Sequence, residues 1–199
     1  MKQTPHNLSE ITLYQWVGYQ NKYGQALDDR LAEISAMKSG PDRLDAILLH
    51  DVDLYTQNYA YWTETPLDEV VALGISEVIK LQCDAFIQHK RQALKLNYFE
   101  VFDFAGDKWK VQPIYRNTGN LTKAEYDMSV DVALIFSDLQ DGKHEAMYDL
   151  CAMYLRKLEE PYHSDLIEQR RELMKSLPLN IALTVRKFVI EAIDKIVKK

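Results

Sequence analysis

The sequence predicts a mainly α protein: a helical bundle of about seven to nine helices with one central β-hairpin. Apolar residues recur at helical spacing over most of the chain. The convincing β signal falls around residues 97–116, where aromatic residues partly alternate about a Gly-Asp turn. Breaker residues divide the rest into segments of helix length. The 199 residues suit a single domain, with a helical half at 1–96, the hairpin at 97–116 and a second helical half at 121–199.

The chain opens with Leu8-Ser9-Glu10-Ile11 as an extended lead-in. Thr12, with Gln15 three residues on, forms the pattern of a capping box. Leu13, Trp16, Val17 and Gln20 share a face of the helix that follows, and Gly24 is expected to end it. A second run over 27–37 aligns Leu27, Leu31 and Ile34. Ser39-Gly40-Pro41 marks a break, with Pro41 in the first turn of the next helix. Leu44, Ile47, Leu48 and Val52 form the expected buried face of that helix. Residues 51–62, rich in Tyr, carry mixed periodicity. Thr65-Pro66-Leu67-Asp68 reads as a helix start with Thr65 as cap and Pro66 at the first position. That helix is short and ends near Gly74. A longer one begins at Ser76, with Ile75, Val78, Ile79, Gln82, Cys83, Phe86 and Ile87 in register.

The hairpin is read from Tyr98–Phe104 and 109–115, joined through Ala105-Gly106-Asp107-Lys108. A two-stranded ribbon is marginal alone in water, so it must pack on helices or be extended by another chain. Pro113 cannot donate to a ladder, so the second strand is expected to be an edge near that residue. Beyond it, Thr122 and Glu125 open a helix over 122–139 with Met128, Val132, Ile135, Phe136 and Leu139 on one stripe. Asp141-Gly142 breaks it. A helix over 144–158 aligns Met147, Leu150, Cys151, Tyr154, Leu155 and Leu158, and Pro161 stops it. Ser164 caps a helix over 165–174. After Leu177-Pro178, the last helix buries Ile181, Val185, Phe188, Val189, Ala192 and Ile196.

Hydrophobic residues make up 47% and charged residues 27%, an ordinary globular balance. No apolar run approaches the roughly 20 residues needed to span a bilayer. The N-terminus lacks the apolar core of a signal peptide, so synthesis in the cytoplasm is expected. A net charge of -6 argues against a general nucleic-acid binder. Charge is uneven: residues 122–160 hold nine acidic and four basic side chains, and 181–199 hold five basic and two acidic. These read as solvated faces, or as surfaces that match between subunits.

No chemical signature emerges. The two cysteines, Cys83 and Cys151, fall on apolar stripes, away from any Cys/His cluster. His50-Asp51-Val52-Asp53 lacks the spacing of a zinc or EF-hand site and reads as a helix-end acidic patch. Glu125, Asp127, Asp131 and Asp138 read as the polar face of a helix. Neither a nucleophile elbow nor a glycine-rich phosphate loop is present. Catalytic residues, cofactors and metals are therefore none in this reading. The twelve tyrosines and three tryptophans point instead to contact surface. Tyr14, Tyr19, Tyr23, Tyr55, Tyr59, Tyr98, Phe102 and Trp109 are the candidate interface residues, with half-buried aromatics as the alternative.

Several pieces, taken in order, carry a resemblance. They are Leu8–Leu13, the hairpin Phe102-Asp103-Phe104-Ala105-Gly106-Asp107-Lys108-Trp109-Lys110-Val111-Gln112-Pro113, and Leu121-Thr122-Lys123-Ala124-Glu125-Tyr126. Met147-Tyr148-Asp149-Leu150-Cys151-Ala152-Met153-Tyr154-Leu155-Arg156 and Leu177-Pro178-Leu179 complete the set. Together they resemble small proteins encoded in the structural gene blocks of tailed bacteriophages, including crAss-like and uncultured marine phages. The family pattern has Tyr-Arg-Pro where this chain has Tyr154-Leu155-Arg156-Lys157. The resemblance implies a multi-copy virion protein made in the host cytoplasm, placed near the portal vertex, neck or capsid. Its partners would be portal, capsid or tail components. A tail-assembly chaperone absent from the virion, and a small enzyme of unrecognised type, are the alternatives.

Overall fold

The computed structural model describes residues 3–78, 101–111, 123–158, 160 and 165–197. It is mainly α with a small three-stranded antiparallel sheet. The chain falls into two compact units. The first comprises Met1–Glu10 and Gly18–Leu94, the second Ile11–Val17 and Lys95–Lys199.

Helix α1 (Leu13–Tyr19) begins as the sequence predicts. The Thr12 amide donates to Gln15 Oε1 at 2.9 Å, and the Gln15 amide donates back to Thr12 Oγ1 at 3.2 Å. Two amides that a helix start leaves without partners are thereby satisfied. The expected stop at Gly24 does not occur. A π-helical turn (Gln20–Gly24) runs straight into α2 (Gln25–Ala36), with Gly24 and Gln25 both in right-handed helical geometry. A Cβ on Gly24 would meet only the amide end of the Gln20 side chain, which is free to turn aside.

In the first unit, α3 (Pro41–Thr63) is one uninterrupted helix that absorbs the ambiguous 51–62 stretch, and α2 packs against it. Its end is capped by Glu64 in the left-handed region, φ 53°. Short helices α4 (Leu67–Val71) and α5 (Ile75–Val78) pack on α3 as well. Pro66 is the cap of α4 and not its first helical residue, while Thr65 bonds the Thr63 hydroxyl at 2.7 Å. Tyr59, Ala60 and Val70 form a small core here with Leu73 against it. The longer helix expected beyond Val78, with Cys83, lies outside the described residues.

In the second unit, β1 (Phe102–Phe104) and β2 (Asp107–Val111) form a hairpin where one is predicted, but Asp107 and Lys108, expected in the turn, already belong to β2. Its turn residues Ala105 and Gly106 both have positive φ, 52° and 81°, matching the right-handed twist of the strands. Helix α6 (Lys123–Gln140) ends at Gly142, φ 77°. There the Lys143 amide donates to Asp138 O at 2.9 Å and the Gly142 amide to Leu139 O at 3.3 Å, the paired bonds of a Schellman stop.

Helix α7 (Ala146–Tyr154) is the hub of this unit: α6, α8 (Asp165–Met174) and α9 (Leu179–Val197) all pack on it. Every residue of it except Asp149 is buried, as suits a helix apolar on all sides. The sequence extends this helix to Leu158, but the structure ends it at Tyr154. Leu155–Lys157 form β3, which pairs with β2 in the register Trp109↔Lys157 to Val111↔Leu155. This ladder makes β2 the central strand of the sheet. The Pro113 region itself lies outside the described residues.

The opening segment is held by the α8–α9 corner. The Leu13 amide donates to Leu177 O at 2.8 Å, the Leu179 amide to Ile11 O at 2.8 Å, and Thr12 forms a β-bridge with Pro178.

Candidate protein-contact surface

Of the seven described aromatic residues expected to make contacts, only Tyr14 is freely exposed, at 62%. Trp109 is wholly buried, and Tyr19 and Tyr59 are buried too. These three are corrected to interior residues. Tyr23, Tyr55 and Phe102 are half-buried, and Tyr98 lies outside the described residues.

Each burial has a physical reason. Tyr19 stacks on Trp62 at 5.7 Å and meets Tyr61 edge-on at 5.4 Å, with Tyr23 5.6 Å away. Tyr61 and Trp62 touch at 4.8 Å, and Trp62 Nε1 donates to Asn58 Oδ1 at 3.2 Å. Gly18 makes this approach possible, because a Cβ there would stand 2.5 Å from Tyr61 Oη. Helical spacing read for aliphatic residues alone leaves Tyr19 off the apolar stripe, although aromatic partners bury it on another face.

Trp109 is fixed by a polar frame. Its Nε1 donates to Phe104 O at 2.8 Å, and Phe104 meets the ring edge-on at 5.8 Å. The Arg170 guanidinium lies 5.3 Å from the ring centre and Lys157 Nζ 5.8 Å from it. Arg170, itself buried, donates to Leu155 O at 3.1 Å and pairs with Glu160. Lys157 pairs with Asp107 at 2.6 Å across the strands.

The apolar side chains that do face solvent are mainly elsewhere. Leu44 is 67% and Leu48 49% exposed, and Ile47, Leu49 and Leu31 of α2 are exposed as well. The face assigned to the core of α3 is thus bare in its first half, where Ala46 and His50 are buried instead. The sequence carried a signal for this, since Asp45 and Asp51 interleave with the leucines and suit an outward face.

The titratable groups named from sequence do not converge among the described residues. Among the described residues no group of three His, Cys, Asp or Glu side chains is arranged to hold a metal ion. Asp138 pairs with Lys143 at 2.6 Å. His144 packs edge-on to Trp16 at 6.0 Å. Burial pushes the Cys151 thiol well above its ordinary value. Burial also holds the Asp149 carboxyl above its usual range; Arg171, 3.0 Å away, opposes this and Asp138 adds to it. The Tyr55 phenol is raised by burial first and by the Asp51 charge second. Among the described residues no helix is long and apolar enough to cross a membrane.

No protein-family model matches the chain, and no curated protein or solved structure is similar to it.

Proposed function

We propose that this chain is a non-enzymatic structural protein of a tailed bacteriophage, an accessory component at the portal vertex, neck or capsid. It acts through protein contacts, in several copies, and needs no cofactor. The observation that carries the contact reading is the bare apolar face of α3, since exposed apolar surface of this kind marks sites where proteins meet. Exposed Tyr14 adds an aromatic contact of the type enriched in interfaces. The phage assignment rests on the ordered resemblance. Two of its pieces, the opening around Ile11-Thr12-Leu13 and the late Leu177-Pro178-Leu179, are bonded to each other in the fold.

The test is mass analysis of purified particles beside lysates of infected cells. A fixed copy number in particles is the expected result. Abundance in lysates with absence from particles would assign the chain to tail assembly as a chaperone. Absence from both would remove the phage reading altogether.

A further inference from the structure

We infer that the first half of α3 is a docking face for an amphipathic helix with basic flanks, supplied by a different protein. This deepens the protein-contact reading above by naming the partner's chemistry.

Residues 44, 48, 52, 59 and 63 follow one another along the same side of α3. Toward the C-terminal end this side is covered: Tyr59 and Thr63 are buried, and Tyr59 packs with Val70 and Leu73 of the α4 region. Toward the N-terminal end the same side carries Leu44 and Leu48 with no cover from the described residues, and Val52 is half-buried. A seam made for helix packing therefore continues past the last described element that fills it. The exposed stretch suits a helix laid along it with apolar residues at every third or fourth position.

Charge selects the occupant. Residues 28–77 hold eleven acidic and three basic side chains. On α3 itself Asp42, Asp45, Asp51 and Asp53 stand against Arg43 alone. Asp45 and Asp51 flank the leucine row on its two sides. A second copy docked about a two-fold axis would set these carboxylates against their own equivalents, and like charges across an interface oppose association. A helix with Lys or Arg beside its apolar stripe meets the leucines with its apolar face and the aspartates with its flanks.

The test uses the full chain and two labelled synthetic peptides. Both carry Leu at i, i+3, i+4 and i+7; one has Lys flanks and the other Glu flanks. Binding is followed by fluorescence anisotropy at low and high salt. The Lys-flanked peptide binds at least about tenfold more tightly than its Glu counterpart, and salt narrows the gap. Leu44→Gln with Leu48→Gln weakens binding by about tenfold or more while leaving circular dichroism and the unfolding midpoint unchanged. Asp45→Asn with Asp51→Asn reduces the salt dependence. Equal binding of both peptides, or full binding by the leucine double variant, overturns the inference. So does a leucine double variant that fails to fold, because the face is then covered within the chain. Self-association that the same leucine variant abolishes assigns the face to a second copy and overturns it too. Particle content is measured independently, so failure here leaves the virion reading standing, and the reverse.

Discussion

Replacing Arg170 with alanine removes several interactions at one point of the second unit. The guanidinium bonds the Leu155 carbonyl at 3.1 Å, pairs with Glu160 and covers the face of Trp109 at 5.3 Å. A hydrogen bond from a charged donor is worth about 1.5–3 kcal/mol, and a cation over a desolvated ring about 1–2 kcal/mol. These overlap and do not add. Breaking a buried pair from one side costs about 3–5 kcal/mol, because the partner carboxylate stays behind. We take about 4 kcal/mol as the expected loss on that basis. With a urea m-value of about 2 kcal/mol/M, the midpoint falls by about 2 M. The assay is urea unfolding by tryptophan fluorescence in a Trp62→Phe background. Trp16 and Trp109, both grouped in the second unit, then report. Arg170→Lys keeps the charge but not the planar fork, and falls between wild type and alanine. A midpoint shift below about 0.5 M for alanine would refute the view that this frame holds β3 to α8.

The other expectations concern single positions. Gly18→Ala drives a methyl into Tyr61 Oη and costs about 1–3 kcal/mol; Tyr61→Phe in the same chain recovers part of it, which a double-mutant cycle on thermal unfolding measures. Asp149 has a folded-state carboxyl raised above its unfolded value, so the folded form holds its proton more tightly and stability falls as pH rises through that window. Asp149→Asn is therefore more stable than wild type at pH 7, and the difference closes as pH drops below about 3.9. Cys151, wholly buried with its thiol raised, resists iodoacetamide in native Cys83→Ser protein and reacts once urea unfolds it.

Local chemistry made some elements legible. The Thr12/Gln15 box, the Ala105-Gly106 turn and the Gly142 stop each rest on residues within a few positions of one another. Their bonds can be named before any tertiary contact is known. The errors share a different cause. Leu155 and Leu158 continue a helical stripe, yet Leu155–Lys157 leave the helix because β2 offers a strand edge whose partners lie more than forty positions away in sequence. Gly24 is a common stop, yet here its backbone stays in right-handed helical geometry and the helix runs on into α2. Trp109 reads as a contact residue by its type, but the cation that covers it comes from Arg170 on another element.

The same logic bears on α3, where period and burial part company. Periodicity finds an apolar face, and Leu44, Leu48 and Val52 do lie on one. It cannot say what lies opposite. In most helices that question is settled by the chain itself, as α4 settles it for Tyr59. For Leu44 and Leu48 the described chain provides no cover, while Asp45 and Asp51 border the row with charges that a protein interior does not hold unpaired. Leucines placed for packing and aspartates placed for water are reconciled when the covering element arrives from outside with charges of its own. That is why the leucine pair and the aspartate pair are to be substituted separately. Loss of affinity from the first and loss of salt dependence from the second are different signatures, and a docked basic helix produces both.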